Sequence, residues 1–287
     1  MSREALDHAA DFVWRNARLL EQALFALRFA GGSQDQVVSA VLAYRNDDGG
    51  FGHALEPDLR GPPSQPIHTE LALRALHDAD VRDAEVALAT CDFLASIAED
   101  DGRVPSVLPS AAAYPRAAHW EADAWPADSP NPTAAVVGLL RWQGVDHELL
   151  DRASEWCWGR LEQPFEDAHE IVAALTFLDH VADRPRAEAA GPAVAAQAHQ
   201  AGWFTERTGA TSYTLTPLDL VPTPDSVGSA AFDDALIEAH LDDLASRQEA
   251  DGGWPIFFDP PSPAAVLEWR GRWTVAALTT LRAYGRL

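Results

Sequence analysis

The residues best suited to chemistry gather in loops. The first such group is His53, Glu56, Asp58 and Arg60, with His68 and Glu70 just beyond it. Pro57 fixes the backbone between Glu56 and Asp58, so the two carboxylates either face one cavity together or bond to the loop's own amides. A second group, His119, Trp120, Glu121, Asp123 and Trp125, interleaves charges with indoles. A carboxylic acid kept neutral in a dry pocket can donate a proton, and indole faces stabilise a developing cation. Asp58 is the first choice for the acid, with Glu56, Glu121 and Asp123 as further carboxylates. His53, His68, His119, Trp120, Trp125, His169, Arg272 and Trp273 are expected to line the substrate. Arg270 or Arg272 can meet a diphosphate or a carboxylate, or pair with one of the chain's many acids.

Local readings stand beside these. Glu70 in a first helical turn suits the helix dipole. Asn131 reads as a helix cap, and so does Asp167. Asp219 and Asp225 lie among prolines, where aspartate makes local turns. Asp47 and Asp48 read as turn residues. No metal-ligand spacing is present. Zinc would need scattered ligands such as His53, Asp58, His119 and His169, so no metal and no cofactor are expected.

The elements that position these residues are helical. Apolar residues recur at helical spacing over 7–30, 34–45, 67–77, 83–98, 133–142, 147–161, 168–180, 186–200, 232–248 and 272–284. Between them run four long loops, 46–66, 100–132, 205–230 and 251–271, rich in Gly and Pro. Two kinds of helix alternate, one apolar on most faces and one amphipathic. Helices apolar all round belong inside and the others outside. The loops leading into inner helices then leave from one rim, and their polar residues converge on one mouth.

The 287 residues carry a formal charge of −23 and ten tryptophans. Such acidity disfavours nucleic acid and anionic membrane surfaces. No run reaches transmembrane length, and the acidic start lacks the apolar core of a signal peptide. Cys91 and Cys157 specify no disulfide framework. A cytoplasmic protein with a small-molecule partner is expected; the oligomeric state is open.

Leu244, Gln248, Gly252 and Trp254 spell L-x3-Q-x3-G-x-W. Val41, Arg45, Gly49 and Phe51 match its spacing, as do Leu94, Ala98, Gly102 and Val104, and Val194, Ala198, Gly202 and Phe204. The period is about 50 residues, which points to stacked supersecondary units. The pattern resembles the QW repeat of squalene-type and other class II terpene cyclases, and the related repeat of protein prenyltransferase beta subunits. The resemblance implies an all-α fold: one α/α toroid over residues 1–287, of about five or six helical hairpins. It also implies acid catalysis on an apolar, isoprenoid-like substrate. The D-x-D-D segment of the class II cyclases, the D-D-x-x-D of class I and the zinc set of the prenyltransferases have no match here. Helical toroids also resemble glycosidases, lyases and sugar epimerases, so a carbohydrate-active enzyme is the second expectation. A non-enzymatic binding toroid is the third.

Overall fold

The computed structural model describes residues 2–121 and 124–287. Twelve α-helices occur among them: α1 (Arg3–Asn16), α2 (Leu19–Phe29), α3 (Gln34–Leu42), α4 (Pro66–Asp78), α5 (Ala84–Ala95), α6 (Thr133–Gln143), α7 (Glu148–Arg160), α8 (Ala168–His180), α9 (Arg184–Ala196), α10 (Pro217–Leu220), α11 (Asp234–Ser246) and α12 (Pro263–Ala283). Extended pairing among the described residues is limited to isolated bridges. The fold is all-α.

Burial alternates along the chain. α4, α6 and α8 are enclosed on nearly every face. α1, α3 and α11 bury one stripe, such as Ala9, Phe12 and Val13 of α1. Each enclosed helix packs on the next: α4 on α6, α6 on α8, α8 on α10. At the end of the chain α12 packs on both α1 and α2.

The repeat turns share one hydrogen-bond pattern. The Gly49, Gly102 and Gly252 amides donate to the carbonyls of Asn46, Glu99 and Glu249. Those three residues in turn donate their amides to the carbonyls of Gly50, Arg103 and Gly253. All three glycines have positive φ, 87°, 88° and 92°, where a side chain is strained. Each also lies against a later or earlier helix. A Cβ at Gly49 would stand 2.3 Å from the Ala89 carbonyl oxygen, at Gly102 2.6 Å from the Ala153 amide, and at Gly252 2.0 Å from the His8 carbonyl oxygen. The aromatic that follows is buried in two of them. Phe51 and Trp254 donate their amides to the hydroxyl oxygens of Thr69 and Thr274, 3.4 and 3.0 Å away. Gln248 ties the last turn to α1, donating to the Gly252 and Ala5 carbonyls. The copy at 194–204 differs, since its positive φ falls on Trp203.

Three element boundaries depart from the periodicity. The stretch 7–30 is two helices, because Ala17 and Arg18 are extended. Arg18 is drawn inward there: it pairs with Glu21 and donates to the Ala54 and Leu55 carbonyls. The last helix begins at Pro263 and not at 272, with Ser262 capping it. Glu268, Trp269, Arg270 and Arg272 are therefore helical residues, on α12. The loop 205–230 contains the short α10, started by a capping box of Thr216 and Asp219.

Candidate functional site

Glu56 and Asp58 sit on the loop before α4, both 2 % exposed. His68, on the first turn of α4, accepts the Glu56 amide at Nδ1 over 2.7 Å and so fixes the loop. His68 is itself fully buried; burial pushes its imidazole down to about 3, which keeps the ring neutral. His68 thus supports the site from behind.

The second loop reaches the same place. Trp120 donates its indole N–H to Glu56 Oε1 at 3.3 Å, and His119 Nε2 stands 3.9 Å from Asp58 Oδ2. Glu56, Asp58 and His119 each bring one polar atom within 4.8 Å of the other two. Burial and the neighbouring Asp58 carboxylate push the Glu56 carboxyl up to about 7, since the charged form loses water and meets a like charge. Asp58 is also raised, again chiefly by burial. The Trp269 indole lies close enough to offset part of that rise, yet Trp269 Nε1 and Asp58 Oδ1 are both buried without a hydrogen-bond partner. His119 is lowered by burial and by His169. The pair therefore holds a proton near neutrality, with Glu56 its better-placed carrier.

A second polar unit adjoins the first through Trp125. His169, at the start of α8, bonds through Nδ1 to Asp167 Oδ1 at 2.5 Å and through Nε2 to the Tyr213 hydroxyl at 2.7 Å. A carboxylate only accepts, so Nδ1 carries the hydrogen. The neutral ring then presents Nε2 as the acceptor of the Tyr213 O–H. Asp167 also accepts the His169 amide, so it is a helix cap and an orienting carboxylate at once. Burial, reinforced by nearby acids, pushes the Tyr213 phenol well above its ordinary range, which keeps its proton on unless His169 takes it.

Aromatic rings join the two units in a circuit. Trp120 stacks on Trp125, centroids 6.0 Å apart, and Trp125 meets His169 at 6.4 Å. Tyr213 stacks on Trp273 at 6.3 Å and touches Phe258 at 5.3 Å. Phe258 meets Trp269 at 5.5 Å, and Trp269 returns to Asp58. Arg272 lies over Trp269, 5.4 Å from the ring centroid. Beyond Trp273 is a cavity of about 170 Å³ lined by Leu218, Asp219, His240, Phe257 and Ala276 among others. A larger hollow of about 380 Å³ at residues 205–214 is shallow and surface-bound. It carries none of the acid–base groups, so the ring-bounded cluster is the stronger site.

Several residues expected at the mouth are engaged by other partners. Glu121 is held by Arg116, 2.5 Å away. His53 is exposed and bonds to Asn46. Arg270, unlike Arg272, is occupied by Asp251 and Glu249. Asp123 lies outside the described residues. Tyr213, Phe258 and Trp269 were not visible as site residues in the sequence. Tyr213 stands in a Thr/Ser-rich stretch with no motif, and only its approach to His169 marks it.

No family model matches the chain, and no curated protein matches it. A crystal structure of a protein from Actinoplanes is similar, with a TM-score of 0.56 and 20% identity over 98% of this chain and 99% of that one. That likeness concerns the fold alone.

Proposed function

We propose that this chain is an acid–base enzyme acting on a carbohydrate, of the lyase or epimerase kind, built on a closed α/α ring of six hairpins. The ring reading is supported by α12 packing on α1 and α2, and by Gly252 lying on α1 as Gly49 and Gly102 lie on α5 and α7. The observation that carries the function is the aromatic circuit, which links Glu56, its carboxyl pushed up to about 7 by burial and Asp58, to Tyr213–His169–Asp167. Glu56 gives a proton to a leaving or rearranging oxygen. Tyr213 takes a proton as its own moves to His169, and Asp167 stabilises the imidazolium that results. The rings hold a sugar face between these groups. A glycosidase needs two carboxylates flanking the bond. Glu56 and Asp58 stand two residues apart on one loop, and the other polar unit supplies a tyrosine and a histidine, which favours the lyase or epimerase kind.

A terpene-cyclase-like reaction on an apolar, isoprenoid substrate is the second reading. It is favoured by the cavity beside Trp273, with Leu215, Leu218, Leu244 and Phe257 in its wall. Incubating the pure protein with panels of sugars, sugar acids and prenyl diphosphates, read by mass spectrometry, decides between them. Turnover of sugars alone supports the first reading. Turnover of prenyl diphosphates alone replaces it with the second.

A further inference from the structure

Arg272 is set apart from the other cations near the site. Among the described residues it makes no hydrogen bond and no ion pair. Its neighbours are already engaged. Glu70 pairs with Arg74 at 2.5 Å, Glu268 pairs with Arg60, and Glu56 accepts the Trp120 indole and the Asp58 amide. A half-buried guanidinium that touches no acid directly, with Glu56 and Glu70 acting on it only from a distance, is costly, and more conspicuous in a chain with 44 acids and 21 bases. Arg272 lies over the Trp269 ring, and its charge acts on both Glu56 and Tyr213. It therefore lies within electrostatic reach of both the acid and the relay.

We propose that Arg272 seats a carboxylate of the substrate, so that the sugar taken is a sugar acid. The inference deepens the carbohydrate reading and rests on it. A guanidinium fork matches a carboxylate in two parallel hydrogen bonds. One cation balances one carboxylate, whereas a phosphate dianion would bring surplus charge beside Asp58. The placement also gives the relay a proton to remove. With the carboxylate neutralised by Arg272, the adjacent C–H is acidified. Its proton passes to the Tyr213 oxygen while the Tyr213 proton moves to His169 Nε2. The electron pair left behind forms a C=C bond as the C–O bond at the next carbon breaks, and the departing oxygen takes the Glu56 proton. Atoms and charge balance without a further reactant.

The test is binding, which needs no turnover. D-Glucuronate, D-glucose, acetate and inorganic phosphate are titrated by calorimetry and by tryptophan fluorescence, against wild type, Arg272→Lys and Arg272→Met. Thermal melts establish that each variant folds, and the wild-type comparison stands without them. Glucuronate is expected to bind on the order of tenfold or more tighter than glucose, with Lys keeping part of the advantage and Met losing it. Equal affinity for glucuronate and glucose, or an advantage that survives in Arg272→Met, overturns the carboxylate seat and leaves the sugar reading in place. Phosphate binding more tightly than glucuronate also overturns it. Acetate binding that is lost in Arg272→Met, with no sugar bound, keeps the seat and removes the sugar reading.

Discussion

Trp120 donates its indole N–H to Glu56 across a separation of 64 residues, at 3.3 Å. Two long loops are thereby joined at a single carboxyl group. The donor favours the ionised form, while burial and Asp58 favour the neutral one. Replacing Trp120 with Phe keeps the ring and removes the donor. The Glu56 pKa is expected to rise by roughly one further unit. Carboxyl carbon NMR shifts followed against pH would show it, and an unchanged midpoint would mean that the bond does not hold the carboxylate.

Glu56 itself links pH to stability. Its carboxyl is raised from 4.5 to about 7. Below about pH 4.5 both folded and unfolded chains hold the proton, and no penalty exists. Between 4.5 and 7 the unfolded chain releases it first, so stability falls as pH rises, and above 7 the loss is constant at about 3 kcal/mol. Glu56→Gln removes that penalty. Urea unfolding at pH 4.5 and pH 8 should show the variant gaining on the wild type by about that amount at the higher pH. A gap that stays constant between the two pH values contradicts a buried, raised Glu56.

Tyr213→Phe interrupts the relay at its outer end and leaves the ring stacked on Trp273. Turnover of a substrate found in the screen should drop by about 10²–10³-fold, with the melting temperature within a few degrees. His169→Gln should act through the same step, so the double variant should lose little more than either single one. Independent, multiplying losses would separate the two residues.

The sequence and the structure agree most closely where one local rule decides. Apolar spacing over 67–77 and 168–180 marks the enclosed helices, because an all-round apolar helix must be covered. The shared L-x3-Q-x3-G-x-W spacing anticipates three turns with matching hydrogen bonds. The failures lie where distant partners decide. Nothing about Ala17 and Arg18 breaks a helix locally; the break follows from Arg18 reaching Glu21 and the Ala54 and Leu55 carbonyls. The Ser262-Pro263 start of α12 was legible as a cap followed by proline at N1, but the prolines before it read as loop. Asp58 and the 119–125 segment were expected to meet, and His119 and Trp120 do stand against Asp58 and Glu56. Tyr213 and Trp269 belong there only through packing.

Gly252 offers a direct test of how the chain's ends meet. Its φ of 92° already disfavours a side chain, at about 1–2 kcal/mol. A Cβ there would also stand 2.0 Å from the His8 carbonyl oxygen and 3.1 Å from the Ala9 amide. That neighbour is helix backbone, with no rotamer to yield, so α1 must shift or the turn must open. Gly144 provides the control: its φ is 76° but a Cβ there meets nothing within 4 Å. Gly144→Ala should cost only about 1 kcal/mol, and Gly252→Ala about 3 kcal/mol or more. Hydrogen exchange should then locate the loss in α1 and the 249–254 turn together. Equal costs at the two glycines would mean that the last turn does not bear on the first helix.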